Sequence, residues 1–183
     1  TAPQGVRWPV AVIALASISL SSLTPFLTGA LAVQLNDDLG LSLSQIGGLV
    51  ATFFGTSALA SAAFGRAVQR RGWRTGVRLA TAGSAVALGG IALLAGNWWS
   101  FAAFCSLGGL FAAVATPAAN LALARSVPPG RYGLLFGLKH AAVPSAVILS
   151  GFAVPTVALT VGWRWAYAGG ALLALITALL VPT

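Results

Sequence analysis

The sequence predicts an all-α membrane protein, six transmembrane helices arranged as two inverted three-helix repeats, and three observations carry that prediction. The composition is 58% hydrophobic and only 7% charged, with a mean hydropathy of +0.92. An ordinary soluble domain is about 25% charged, so this chain could not cover its surface with polar groups. Disorder is excluded as well, because disordered chains are poor in apolar residues. The apolar residues fall in runs of about 20, the length a helix needs to cross about 30 Å of hydrocarbon. The 183 residues hold six such runs with short connections and no room for a soluble domain. Finally, two short motifs recur at nearly one offset, as a duplicated three-helix unit requires.

The first span is expected over Pro9–Val33, interrupted at Thr24-Pro25 because proline lacks the N–H an interior helical position needs. It is too long for a signal peptide and has no cleavage site. Asn36-Asp37-Asp38 reads as a polar turn, and Ser42 with Gln45 as a capping box that opens the second span, Leu43–Phe64. An arginine-rich loop leads to the third span, Val77–Ala95, and a short connection to the fourth, Ser100–Ala124, interrupted at Thr116-Pro117. Arg125 to Arg131, with Pro128-Pro129-Gly130 inside, is a clear break. The fifth span, Tyr132–Thr160, carries Pro144 and Pro155, and the sixth covers Trp165–Val181. The single cysteine, Cys105, lies in an apolar run, so no disulfide framework is expected.

Charge orients the bundle. Eight of the nine arginines (Arg7, Arg66, Arg70, Arg71, Arg74, Arg78, Arg125 and Arg131) fall on one side, and the other side has only Arg164 with both acids. The positive-inside rule places the arginine-rich side and both termini in the cytoplasm. The net charge of +8 is therefore a topology signal and not a nucleic-acid footprint. All six tryptophans fall at predicted helix ends, as an interfacial aromatic belt requires. Nine arginines against one lysine suit a GC-rich bacterial genome, so a multi-pass protein of the inner membrane is expected. Methionine is absent, even at position 1, and the chain stops at Thr183 where an apolar run ends. The expectation is a fragment.

Gly72-Trp73-Arg74 precedes the third span and Gly162-Trp163-Arg164 the sixth, 90 residues later; Thr24-Pro25 and Thr116-Pro117 are 92 apart. The first repeat then covers about 1–95 and the second about 96–183. Three spans per copy is odd, so the copies enter the membrane from opposite sides, the arrangement of many secondary transporters. The same motifs also suit a simple interface anchor and a common kink.

The chain resembles the N-terminal six-helix half of a major facilitator superfamily transporter, from end to end. The main signature is the connection between spans two and three, where Gly65, Arg70, Gly72 and Arg74 match the family pattern, Gln69 stands for its acid and Trp73 for one of its basic residues. Asp38 to Gly47 is similar to the family's entry to span two, and Gly162 to Trp165 to its entry to span six. Gly137 to Pro144 is similar, more narrowly, to bacterial cyanate- and nitrate-transporter-like members. The resemblance implies half of a 12-helix fold and a second six-helix half, in the same polypeptide or as a homodimer. It also implies that the arginine loop docks on that half and helps close the inner gate; Gln69 could serve there by hydrogen bonding but not as a charge relay. Apart from the family, the two glycines suit a tight turn and the arginines hold the loop in the cytoplasm.

Lys139 and His140 are the ionisable residues well inside a predicted span. A lysine at the bilayer centre costs roughly 2.5–3.5 kcal/mol, so Lys139 is a candidate fixed charge for an anionic substrate. Snorkelling to headgroups from about two turns inside the span is the alternative. His140 shares a stripe with Gly133, Gly137 and Pro144, a pattern that usually marks helix packing. It reads first as a packed, hydrogen-bonded histidine and not as a proton carrier. Thr24, Thr28, Thr116 and Asn120, beside the broken helices at Pro25 and Pro117, could bond a small ligand, their own helix or a neighbour. Pro144 and Pro155 are candidate hinges, and Gly89-Gly90 with Gly108-Gly109 read as packing residues.

No Asp or Glu falls inside a span, and span four has no arginine of the kind many proton-coupled members carry. The function expected is a secondary active transporter moving a small solute, a small anion by the charge of Lys139, through alternating access. Rivals are a drug or metabolite efflux antiporter and a non-transporting polytopic protein. No enzyme chemistry, metal, cofactor or nucleic-acid partner is expected; the partners are the bilayer, a small-molecule substrate and the second half.

Overall fold

The computed structural model describes residues 8–126, 130 and 132–182, and every regular element among them is helical. They are α1 (Trp8–Ser21), α2 (Leu23–Ala30), α3 (Ala32–Leu39), α4 (Leu43–Arg71), α5 (Trp73–Leu94), α6 (Trp98–Ser126), α7 (Tyr132–Ala153), a π-helical stretch Val154–Ala158, α8 (Leu159–Val161) and α9 (Trp163–Leu180). Helices α4, α5, α6 and α9, with the run Gly137–Val161, make five segments long and apolar enough to cross a membrane. Helices α1 and α2, bent by 44° at their junction, make a sixth when taken together.

The expected break in the first span is present, but it lies at Ser22, ahead of Pro25. The Ser22 N–H is shared between the carbonyls of Ile18 (3.1 Å) and Ser19 (3.2 Å), and Pro25 has no N–H to return to Ser21. The expected polar turn at Asn36-Asp37-Asp38 is instead the last turn of α3. The chain reverses one step later, at Gly40 in the left-handed conformation (φ 65°), because a positive φ costs glycine nothing. The capping box forms as expected: Gln45 N–H donates to Ser42 Oγ (3.3 Å) and Ser42 N–H to Gln45 Oε1 (2.9 Å).

The second span does not end at Phe64. Helix α4 runs on to Arg71, so Gly65, Gln69 and Arg70 are helical and the expected arginine-rich loop shrinks to Gly72. Apolar content marked the membrane boundary, whereas helix continuation depends on propensity, and cations in the last turn suit the helix dipole. Gly65 therefore makes no tight turn. Pro117 does not interrupt α6, nor Pro144 α7. One missing backbone bond is carried by packing on either side, where Ala113, Val114, Ala115, Ala118, Ala119 and Ala122 are buried. Pro155 does break its helix, into the π-helical stretch, where Thr156 Oγ1 donates to the Phe152 carbonyl (2.6 Å) and Thr160 Oγ1 to that of Thr156 (2.9 Å). Of the expected break at Arg125 to Arg131, Val127, Pro128, Pro129 and Arg131 lie outside the described residues, as does Arg7.

Helix α6 is the central post, packed on α4, α5 and α1; α9 lies along α5, and α7 lies against α1 and α2. The α5–α6 seam is written in heptads. Gly76, Gly83 and Gly90 face Ala118, Phe111 and Phe104, so that two phenyl rings lie directly on glycine backbone. A seven-residue repeat keeps one stripe on one seam when helices cross at a small angle. On the other side of α6, Gly109 meets the Phe53 carbonyl and the Thr56 hydroxyl of α4. At the end of the bundle opposite the arginines, Phe101, Trp163 and Tyr167 pack ring on ring at 5.8–6.3 Å. Trp163 is therefore a core residue and not part of an aromatic belt: its indole N–H donates to Asp38 Oδ2 (2.8 Å).

Candidate functional site

A line of hydroxyls runs down the covered face of α1 and α2. Ser17, Ser21, Thr24 and Thr28 recur at helical spacing and are all fully buried or nearly so. Ser84 of α5 donates to Ser21 Oγ (3.0 Å). Thr28 Oγ1 donates to the Thr24 carbonyl (2.7 Å), so the 2.9 Å contact with Tyr167 is the phenol donating to Thr28. The hydroxyls of Ser17 and Thr24 have no hydrogen-bond partner among the described residues, and Gly108 of α6 leaves the space beside Thr24 Oγ1.

The four neutral candidates are not one cluster. Thr24 and Thr28 sit at the level of Gly108, whereas Asn120 is 12 residues further along α6, about 18 Å away by helical rise. Asn120 buries a carbonyl oxygen with no hydrogen-bond partner among the described residues, and Thr116 is exposed. On α7, Lys139 is half-buried and His140 exposed, as the 100° between neighbours on a helix requires. His140 is thus not the packed residue expected: with Gly133, Gly137 and Pro144 it lies on a face that no other described part of the chain covers.

The arginine-rich end carries open pockets. One of about 370 Å³ is lined by Ala63, Arg66, Ala67, Arg70 and Arg71, and one of about 390 Å³ by Arg71, Gly72, Trp73, Arg74, Thr75 and Arg125. A narrower apolar groove of about 60 Å³, with Phe64, Val68, Leu79 and Val114 in its walls, adjoins both at Arg71. Gly72, the one expected loop residue that remains a turn, has φ 85° and ψ 161°; Gly162, its counterpart 90 residues on, has φ 103° and ψ 154°. Both values lie in a region open essentially to glycine alone.

Two arginines that no site reading singled out tie α5 to α9. Arg164, in the first turn of α9, donates to the carbonyls of Ala92 (3.0 Å) and Ala95 (2.9 Å) at the end of α5, while its guanidinium lies over Trp163. Arg78, near the start of α5, donates to the Val181 carbonyl just past the end of α9 (2.7 Å). Each helix thus lends an arginine to the terminal carbonyls of its antiparallel neighbour.

Five apolar segments around the central α6, with the first segment broken and a glycine turn between the second and third, define a polytopic membrane bundle. The chain belongs to the Major Facilitator Superfamily, whose family model matches residues 9–183. In fold it is similar to the inward-open xylose transporter XylE from E. coli, with a TM-score of 0.80 and 19% identity over 95% of this chain and 47% of that one. It is also similar to the proton:xylose symporter XylE bound to 6-bromo-6-deoxy-D-glucose, with a TM-score of 0.78 and 20% identity over 95% of this chain and 44% of that one. The chain spans about half the length of these solved transporters. No curated protein matches it in sequence. It is a multi-pass membrane protein.

Proposed function

We propose that the chain is the N-terminal six-helix half of a secondary transporter that moves a small anion by alternating access. The carrying observation is Lys139, half-buried within the apolar run Gly137–Val161. Because a cation on such a helix is costly, an anionic substrate beside Lys139 supplies a reason for its presence. The cyanate- and nitrate-like segment Gly137 to Pro144 surrounds it and supports the same reading. The two three-helix repeats, about 1–95 and 96–183, are supported by the matching backbone of Gly72 and Gly162 and by the reciprocal capping between α5 and α9. In this reading a second half, in the same polypeptide, completes the path. The arginine-rich end faces the cytoplasm of an inner membrane, and Gln69, Arg70 and Arg74 meet the second half as the path closes.

A second reading is uptake of a neutral sugar, favoured by fold neighbours that are xylose transporters and by the neutral hydrogen-bonding groups of Thr24 and Asn120. Uptake by the full-length protein in liposomes separates the two. The anion reading expects saturable uptake of nitrate or cyanate that Lys139→Ala abolishes while the variant stays folded. Unchanged uptake removes Lys139 as the anchor, and xylose uptake insensitive to Lys139→Ala selects the sugar.

A further inference from the structure

The transport path proposed above gives no role to Arg71 and Arg125 of the arginine-rich end. Arg66, Arg70, Arg71, Arg74 and Arg125 are all exposed there, and the chain has two acidic residues in all, both on α3. The 29 residues of α4 put α3 about 40 Å from this end, far beyond the screening length in physiological salt of about 8 Å. Position 69, between the arginines, is a glutamine. The cluster therefore lacks any counter-charge among the described residues.

The shape of the surface says which anion suits it. The pocket between Arg71, Arg74 and Arg125 also contains the first turn of α5, and no side chain caps that turn. Its free N–H groups and partial positive charge add to the guanidinium forks, which match the oxygens of a phosphate. Directly beside it, with Arg71 and Thr75 common to both, the groove between α4, α5 and α6 is walled by Phe64, Val68, Leu79 and Val114. A free ion uses the pocket and leaves the groove empty, whereas an amphiphile uses both.

We propose that this end binds an anionic phospholipid, its phosphate on Arg71, Arg74 and Arg125 and the first part of an acyl chain in the groove beside Arg71. The shared chemistry with a free phosphate ion is the phosphoryl group; the groove is what favours the lipid. Trp73, which lines the pocket and stacks with Arg74 (5.6 Å), is placed to report on it. The proposal holds whichever solute is carried, because Arg71 and Arg125 have no place in the transport path proposed above.

The test uses the full-length protein in phosphatidylcholine nanodiscs, titrated with phosphatidylglycerol carrying brominated chains. The Trp73 share of the quenching, taken as the difference between the unchanged protein and Trp73→Phe because Trp8, Trp99 and Trp165 are also exposed, should saturate at low mole fraction and be absent with brominated phosphatidylcholine. Arg71→Gln with Arg125→Gln should weaken it about 25-fold, at about fivefold per arginine. Equal quenching by the two lipids overturns the proposal, and this comparison stands even if the double variant fails to fold. Unchanged affinity in a folded double variant overturns the site. Displacement of the lipid by millimolar inorganic phosphate assigns the pocket to a free ion and overturns the lipid. No quenching by either lipid means that the second half covers this face, and overturns it too.

Discussion

Arg164 shows how a single side chain can oppose a global signal for a local reason. It is the one arginine on the side that charge bias assigns to the far face of the membrane, and on that count replacing it should be neutral or helpful. Its guanidinium, however, holds the Ala92 and Ala95 carbonyls, which the end of α5 leaves without backbone partners. Hydrogen bonds to a charged group contribute about 1.5–3 kcal/mol, and losing them strands two carbonyls. Arg164→Gln should therefore lower stability by about 1–3 kcal/mol, read from the unfolding midpoint in mixed micelles. A midpoint at or above that of the unchanged protein would leave Arg164 as an interfacial charge and nothing more. The same reasoning applies to Tyr167, whose phenol is buried in apolar surroundings and is satisfied by Thr28.

At the scale of elements, the contacts of α6 depend on where a methyl group would fit. Gly109 faces backbone, the Phe53 carbonyl, which can move only by parting α6 from α4. Gly83 faces the root of the Phe111 ring, which turning the ring does not move, and Gly47 faces nothing within 4 Å. Overpacking costs typically about 1–3 kcal/mol. Gly109→Ala and Gly83→Ala should both fall at the top of that range and Gly47→Ala near zero, on the same micelle assay. A negligible effect at Gly109 or Gly83 would mean that α6 is not held as closely to α4 or α5 as described. The two ends of the bundle also differ in substance. Near α3 the core is aromatic and leucine-rich; toward the arginines it thins to alanine and valine, as in the contacts of Ala11, Ala14, Ala119 and Ala122.

Across the whole molecule the covering is lopsided. Half of the apolar window of α5 and of α6 is buried, against 22% for α4 and for Gly137–Val161. The open face of α4 presents Gly47, Ala51, Gly55, Ala58 and Ala62, and that of α7 Gly133, Gly137, His140 and Pro144. Lipid needs no small residues opposite it, whereas a second helix does, because they let backbones approach. In the function proposed above, the second bundle is seated on α4 and α7. A Cβ added at Gly55 or Gly137 meets no atom within 4 Å, so Gly55→Trp and Gly137→Trp, directed outward, should leave the stability of the half unchanged and abolish uptake by the full-length transporter. Full uptake in both variants would turn these faces toward lipid.

Helix number, the topology signal and the family were legible in the sequence because they follow from composition, from runs of bilayer length and from motifs that are local in the chain. The capping box at Ser42 and Gln45 and the break near Pro25 belong to the same class, each needing only neighbours within a turn. Helix ends were less legible, since α4 passes Phe64 on propensity after its hydrophobicity has ended, and Pro117 breaks nothing because other helices support α6. The seam of Gly76, Gly83 and Gly90 had a signal, their heptad spacing, but not the identity of what lies across it. Only the tertiary structure decided that Phe104 and Phe111 fill that seam, that Arg164 caps α5 and Arg78 caps α9, and that Thr28 is engaged by Tyr167 while Thr116 and Asn120 lie elsewhere. Those pairings join residues between 14 and 139 positions apart, and sequence spacing carries no information about contact once the chain has crossed the membrane and turned back.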